Sequence, residues 1–286
     1  MKTITKFSCL FLLSTVAQCL FGETPVEWPN GKKGAIVLTY DDALSSHLRV
    51  AIPQLDEKSL KATFFLHGAG IRQREIAEWK MAALTGHELG NHSMYHPCLS
   101  KDSLNDERYV LESYTVGSIG EEIAMMNNYL YCIDGETVRT YAYPCGQTET
   151  KDGDYSEMLK NSQLVIAARM VGDSRAVVDR ADMPDLCRLP AFVAGTGDSG
   201  EKLIDFVKRV EKRHGFGIFV FHGVGGDYLD VSAESHQALV NYLSDHSDSL
   251  WVTTFRELSL FLMKEDEKNP NGQLINQPTN QSIKNN

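Results

Sequence analysis

Residues 34–47 read GAIVLTYDDALSSH, an apolar strand pattern that ends on two adjacent carboxylates, Asp41 and Asp42. Neighbouring carboxylates repel each other, and each one leaves water only where a positive charge meets it. One interpretation is the N-cap of a helix, because aspartate is favoured at that position and a helical pattern follows in the sequence. The other interpretation is a functional site at the end of the strand. The rest of the chain decides between them.

Strands and helices alternate along the chain after this first strand. Predicted helices separate further predicted strands, which read KATFFLHG, ELGN, VRTYAYP, LVIAARM, GIFVFHG and LWVTTF. Repeated β–α units predict an α/β fold whose parallel strands are joined by crossover helices. In a closed parallel barrel the chemistry lies at the carboxyl ends of the strands. The candidates at such ends are Asp41, Asp42, His67, the segments that begin at His92 and Pro144, and His222.

The segment GHELGNHSMYHP, residues 86–97, contains two histidines four residues apart, His92 and His96. On a helical turn this spacing would put both imidazoles on one face, within reach of one metal ion. An isolated pair with this spacing is equally consistent with two solvated helix residues. A strand-end carboxylate would add an oxygen ligand, and two histidines with one carboxylate, left open to water, form a catalytic zinc arrangement.

Four motifs, in this order, resemble those of the polysaccharide deacetylase family, which is also the NodB-homology group or carbohydrate esterase family 4. They are TYDDA (39–43), HSMYHP (92–97), YAYPCG (141–146) and FVFHG (219–223), and the resemblance covers residues 33–262. It implies a distorted (β/α) barrel of about seven parallel strands. It also implies the metal-dependent removal of acetyl groups from a carbohydrate, either an N-acetyl amino sugar or an O-acetylated sugar.

The resemblance assigns separate roles to the two adjacent carboxylates. Asp41 matches the general base, whereas the residues that match the ligands of a divalent metal ion, which we expect to be Zn²⁺, are Asp42, His92 and His96. Cys145 matches the residue whose backbone N–H helps to form the oxyanion hole, and His222 matches the general acid.

One position departs from the family pattern. Many members carry an arginine in the third motif that pairs with the base aspartate, and this chain has Ala142 there. We predict that Arg188, in CRLPAF, replaces it by contacting Asp41; a surface arginine is the alternative. His67 is predicted to be a structural histidine. The acidic residue that would orient His222 is left open among Asp173, Asp179, Asp182 and Asp198.

The two ends of the chain differ from its body. The chain begins MKTITKFSCLFLLSTVAQCLFGE, in which two lysines precede an apolar run too short to span a bilayer. This pattern predicts a signal peptide, residues 1–22, and a secreted or periplasmic protein; a lipid-modified Cys19 is the less favoured alternative. Residues 269–286 are half Asn and Gln and predict a disordered polar tail. The region between them, 23–268, is predicted to be one catalytic domain.

The charge of the chain excludes some partners. Without Lys2 and Lys6 of the predicted signal peptide, 26 basic residues face 38 acidic ones, a net charge of -12. We therefore expect no nucleic-acid partner, and no stable membrane insertion because no other run is long enough to span a bilayer. The oligomeric state is left open. The cysteines of the predicted domain form disulfides, with three possible pairings, or remain buried free thiols; they are Cys98, Cys132, Cys145 and Cys187.

The function that this sequence favours is a secreted hydrolase acting on an acetylated carbohydrate. One alternative is a metal-dependent amidohydrolase that uses the same fold on a non-sugar amide. Another is a catalytically silent carbohydrate-binding module. Such a module would typically have lost the base, a metal ligand or the acid, whereas this chain retains all of these side chains: Asp41, Asp42, His92, His96 and His222.

Overall fold

The computed structural model describes residues 27–102, 107–179 and 184–268. The predicted signal peptide and the predicted polar tail lie outside these residues. The strands are β1 (Gly34–Asp41), β2 (Thr63–Leu66), β3 (Glu88–Asn91), β4 (Tyr141–Ala142), β5 (Glu149–Thr150), β6 (Gly153–Asp154), β7 (Ala168–Arg169), β8 (Val177–Val178), β9 (Phe192–Val193), β10 (Phe216–Phe221) and β11 (Leu250–Thr253). The helices are a π-helix (His47–Ala51), α1 (Ile52–Glu57), α2 (Ile76–Leu84), α3 (Val116–Asp134), α4 (Tyr155–Asn161), α5 (Gly200–Arg213), α6 (Ala233–Asp245) and α7 (Phe255–Glu267).

The main sheet is curled and largely parallel, with β1 at its centre. Seven strands follow one another in the order β7-β4-β3-β2-β1-β10-β8, while β11 also pairs with β1 and β9 with β10. Strand β8 runs antiparallel to β10, and β5 pairs with β6 in a separate hairpin. The predicted α/β fold, a distorted barrel of parallel strands, is confirmed in the form of a half-barrel.

Strand β1 is buried along its whole length because both faces of the sheet are covered. Ile36 and Leu38 point into a core that includes buried residues of α5 and α6. Ala35 and Val37 point the other way, into a core that includes residues of α7. This alternation follows from the two-residue period of a strand, and a strand covered on both faces reads as a continuous apolar run. Its carboxyl end therefore places Asp41 at the edge of the sheet, where the side chain is still buried.

The chain turns sharply after β1 without making a helix cap. Asp42 and Ala43 have φ angles of 79° and 55°, in the left-handed region that non-glycine residues rarely adopt. The π-helix begins only at His47, after Ser46, and neither it nor α1 has a side-chain cap. The N-cap interpretation of the aspartate pair is therefore wrong.

One disulfide joins two loops at the carboxyl end of the sheet. Cys98, beyond β3, is bonded to Cys145, beyond β4, with 5.8 Å between their Cα atoms. Cys132 is an exposed free thiol and Cys187 a buried one. In the parts of the chain that the structure describes, no helix is both long and apolar enough to cross a bilayer.

Candidate metal centre and catalytic site

Two strand ends bring three potential metal ligands together. Asp42 follows β1, and His92 follows β3, which lies two strands away in the sheet. His92 and His96 do not lie on a helical turn, so that part of the prediction is wrong. They lie on an irregular bend in which Ser93 and His96 have φ angles of 64° and 54°. The Ser93 hydroxyl stabilises the bend by accepting a hydrogen bond from the backbone N–H of His96 at 2.9 Å.

The ligand atoms of these residues converge on one point. Asp42 Oδ1 lies 3.5 Å from His92 Nε2 and 3.3 Å from His96 Nε2. This oxygen is buried and has no hydrogen-bond partner among the described residues. The other nitrogen of His92, Nδ1, lies 2.7 Å from the carbonyl oxygen of Ala142, which accepts its hydrogen and directs the Nε2 lone pair at Asp42. An orphaned carboxylate oxygen facing two imidazole nitrogens fits a divalent cation.

The electrostatics of the cluster favour an ionised Asp42 and a neutral His96. Burial and the charge of His92 lower the pKa of His96 to about 3, which keeps its imidazole neutral near pH 7. Burial would raise the pKa of Asp42, but the neighbouring His92 and the charges of His96 and His222 hold it well below its ordinary value. Burial would lower the pKa of His92, but the neighbouring carboxylates of Asp41 and Asp42 raise it overall. A carboxylate and a neutral imidazole are the ligand forms that a divalent metal requires.

Asp41 forms a buried ion pair with Arg169, not with Arg188. Arg169 Nη2 donates to both carboxylate oxygens of Asp41, at 2.6 and 2.5 Å, and both side chains are buried. Arg188 instead donates to Asp154 and to the hydroxyl of Ser156. The prediction that Arg188 contacts Asp41 is therefore wrong, because the loop that carries Arg188 packs against the start of α4.

The position of Arg169 follows from the register of two neighbouring strands. In the parallel pair of β4 and β7, Ala142 lies opposite Arg169. The arginine expected in the third motif is thus supplied by the next strand, at the matching level of the sheet. Its guanidinium also lies over the ring of Phe65, 5.2 Å from the centroid. The available sequence signal was an arginine inside the apolar run LVIAARM, where a charge requires a buried partner.

The pair with Arg169 keeps Asp41 ionised despite its burial. Burial would raise the pKa of Asp41, but the charge of Arg169, helped by His92 and His222, outweighs it and brings the pKa below the ordinary value. Asp41 Oδ2 lies 3.8 Å from His92 Nε2, so the carboxylate borders the predicted metal position.

His222 follows β10 and faces the same carboxylates from the other side. Its Nε2 lies 3.7 Å from Asp42 Oδ2, and its backbone carbonyl lies 2.7 Å from Nε2 of the buried His47. His222 Nδ1 has no hydrogen-bond partner in the described ranges. Of the four acids considered for it, Asp182 lies outside the described residues. The other three form ion pairs elsewhere, Asp173 with Arg175, Asp179 with Arg213 and Asp198 with Lys202.

The remaining predicted residues line the edge of the cluster. Cys145 has a left-handed φ angle of 54° and ties the third-motif loop to Cys98, two residues after His96. The ring of His67 lies 5.4 Å from that of His96, and burial lowers its pKa to about 4. Tyr228 was not anticipated from the sequence: its hydroxyl donates to Asp42 Oδ2 at 2.5 Å.

Comparison with known proteins shows which family the segment around these three side chains resembles. Residues 29–161 match the family described as polysaccharide deacetylase. The matched segment holds the first three motifs, whereas Arg169 and His222 lie beyond it. The resemblance read from the motifs is confirmed over these residues, which are similar to that family.

A curated relative matches a part of the chain. The protein YlxY of Bacillus subtilis (strain 168), described as uncharacterized, is 32% identical over 102 residues. That alignment covers 36% of this chain and 28% of YlxY.

Solved structures share the fold at low sequence identity. A protein of Mycobacterium smegmatis described as a polysaccharide deacetylase superimposes with a TM-score of 0.59, at 16% identity, over 84% of this chain and 94% of its own. A family 4 acetyl xylan esterase of Clostridium thermocellum, in complex with a cobalt ion, gives 0.50 at 20% identity, over 78% and 89%. A carbohydrate esterase family 4 pseudoenzyme of Bacillus anthracis gives 0.51 at 20% identity, over 81% and 66%. The fold thus occurs in enzymes and in a pseudoenzyme, and activity has to be argued from the site.

Proposed function

We propose that this protein is a secreted, metal-dependent hydrolase that removes acetyl groups from a carbohydrate. The observation that carries the proposal is the convergence of Asp42, His92 and His96 beside a second carboxylate, Asp41, whose charge is held by a buried arginine. A module that only binds sugars has no need for an ionised base next to an open ligand set. The candidate substrates are N-acetyl amino sugars and O-acetylated sugars.

The proposed metal ligands are Asp42, His92 and His96, and Zn²⁺ is the ion we expect. When bound, a divalent ion supplies Lewis-acid chemistry: it lowers the pKa of a water molecule and polarises the acyl carbonyl. The acetyl xylan esterase solved in complex with a cobalt ion supports a bound metal ion in this fold. The ligand set leaves positions open for water and substrate, as catalytic sites do.

In the proposed mechanism, Asp41 is the general base. It takes a proton from the attacking water, and before this step Arg169 keeps the carboxylate ionised and fixed in position. The backbone N–H of Cys145 is proposed to donate to the oxyanion that develops on the acetyl carbonyl. His222 is proposed to protonate the departing nitrogen or oxygen of the sugar. No covalent intermediate on the protein is required.

Two observations support secretion. The N-terminal sequence predicts a signal peptide, and the Cys98–Cys145 disulfide suits an oxidising compartment. The metal-dependent amidohydrolase and the silent binding module remain outcomes of the experimental test.

The test is acetate release from chitin fragments, peptidoglycan, poly-N-acetylglucosamine and acetylated xylan, with and without a chelator. We expect release from at least one of these substrates, its loss with the chelator, and its recovery on adding Zn²⁺. Asp41→Asn is the matched control, because it keeps the shape of the site and removes the base. Release of acetate that resists the chelator would refute the metal-dependent mechanism. Sugar binding with no release from any substrate would favour the silent module.

A further inference from the structure

The two oxygens of Asp42 have different surroundings. Oδ1 faces His92 and His96 at 3.5 and 3.3 Å and lacks a hydrogen-bond partner among the described residues. Oδ2 accepts a hydrogen bond from the hydroxyl of Tyr228 at 2.5 Å. The carboxylate is therefore oriented so that one oxygen faces the proposed metal position and the other faces Tyr228.

The loop that carries Tyr228 is tied to the segment that follows Asp42. The side chain of Asp227 accepts a hydrogen bond from the backbone N–H of Ser46 at 2.8 Å. The carbonyl of Tyr228 accepts one from the N–H of Gly223 at 3.0 Å. These bonds link the loop after β10 both to the turn before the π-helix and to its own base. The backbone of Tyr228 thus has little freedom to move away from Asp42.

The backbone on both sides of Tyr228 adopts an unfavourable conformation. Asp227 and Leu229 have φ angles of 65° and 48°, and such left-handed non-glycine residues persist where the surroundings enforce them. Tyr228 itself is 50% exposed, with its ring centroid 6.0 Å from that of His222. A half-exposed tyrosine that met Asp42 by chance would not need a strained, anchored loop. The geometry is that of a side chain held in place at the entrance of the site.

We propose that Tyr228 is a positioning residue that makes Asp42 a single-oxygen ligand of the bound cation. This inference rests on the proposed function. A carboxylate can bind a metal through one oxygen or both, and a second oxygen would occupy a position that water or substrate needs. By donating a hydrogen bond to Oδ2, the phenol hydroxyl prevents the carboxylate from rotating to present both oxygens to the metal. It keeps Oδ1 directed at the two histidines. Groups that orient metal ligands typically contribute 10–100-fold in metal affinity.

The experiment compares Tyr228→Phe with Tyr131→Phe in full-length, metal-free protein. Tyr131 is a matched control because it is similarly exposed, at 53%, and lies on α3. Zn²⁺ affinity is measured by competition with a chromophoric chelator, and the coordination of Co²⁺ by its visible absorption spectrum. We expect the Kd for Zn²⁺ to rise 10–100-fold in Tyr228→Phe, with an altered Co²⁺ spectrum, and to be unchanged in Tyr131→Phe. A second variant, Asp227→Ala, keeps the phenol and frees the loop, and we expect a smaller rise in Kd.

The outcomes separate this inference from the proposed function. If the wild-type protein binds neither Zn²⁺ nor Co²⁺, the proposed function and the inference both fail. If the wild-type protein binds both ions and Tyr228→Phe gives the same Kd and the same Co²⁺ spectrum, the inference alone fails. A raised Kd in both tyrosine variants would also overturn it, because the effect would then not belong to the contact with Asp42.

Discussion

Replacing Arg169 with methionine removes the positive charge from the buried Asp41–Arg169 pair at similar side-chain length. Arg169 is 0% exposed and Asp41 4% exposed, so water cannot replace the lost charge. Removing one partner of a buried ion pair typically costs about 3–5 kcal/mol of unfolding free energy, because the remaining charge is left uncompensated. We expect a loss of that size at pH 7.5, together with the loss of acetate release.

The expected loss depends on pH in a defined direction. Without Arg169 only the charges of His92 and His222 offset the burial of Asp41, and its pKa should rise. A buried carboxylate with a raised pKa destabilises the folded state above that pKa and ceases to do so once it is protonated. The difference between Arg169→Met and the wild-type protein should therefore shrink as the pH falls.

The assay is denaturant unfolding, with a chelator present so that metal binding makes no contribution. Wild-type protein, Arg169→Met, Asp41→Asn and the double variant form a double-mutant cycle, in which we expect a coupling energy of about 1–3 kcal/mol. Arg188→Met is the matched control. Its ion pair with Asp154 is 37% and 25% exposed, and such a pair contributes about 0–1 kcal/mol.

Two results would refute this reasoning. The first is an unfolding free energy for Arg169→Met equal to that of Arg188→Met. The second is a coupling energy near zero in the cycle, which would mean that Asp41 and Arg169 do not stabilise each other. Full acetate release by Arg169→Met would show that the base does not depend on this arginine.

Three further predictions follow from the site and its surroundings. Asp42→Asn should lose Zn²⁺ affinity and regain part of its activity in excess Zn²⁺. Asp41→Asn should keep the metal and lose about 10²–10⁴-fold in rate. Loss of metal from Asp41→Asn and its retention by Asp42→Asn would mean that the two roles are exchanged. Replacing both Cys98 and Cys145 with serine should cost about 3–4 kcal/mol for a sequence separation of 47, and a denaturation midpoint equal to that of oxidised wild-type protein would contradict this. Burial lowers the pKa of His236 to about 3, so the unfolded state binds a proton that the folded state does not, and stability falls as the pH drops below about 6.5. The difference in unfolding free energy between wild-type protein and His236→Gln should therefore narrow by about 2 kcal/mol from pH 7.5 to pH 5. A difference that stays constant with pH would rule this out.

The fold was predictable because its signals are local. Strand β1 shows its burial as an unbroken apolar run, and the chemistry-bearing residues come directly after strands. The carboxyl ends of parallel strands meet at one edge, so Asp42 and His92 could be placed together without knowing any angle. The prediction of a helical turn for His92 and His96 failed because the Ser93 hydroxyl stabilises a bend instead.

The contacts missed from the sequence depend on register and loop geometry. The pairing of Arg169 with Asp41 depends on which residue of β7 lies opposite Ala142, and sequence spacing does not fix that alignment. Tyr228 reaches Asp42 from a loop with left-handed residues on either side. The Gly-Gly pair that precedes Asp227 indicates a turn but does not fix where the side chain of Tyr228 points. Both interactions join residues more than a hundred positions apart in the chain.

The side-by-side placement of Ala142 and Arg169 has a consequence for how loss of function is recognised in proteins with these motifs. A cation at one level of a parallel sheet can be supplied by either of two neighbouring strands, because their side chains at that level reach the same space. The positive charge near Asp41 can therefore lie on either of the two strands and have a similar effect on its carboxylate. An inactive protein with these motifs is then recognised when no positively charged side chain lies near this aspartate in the folded structure. The absence of arginine from the third motif is not sufficient evidence that activity has been lost.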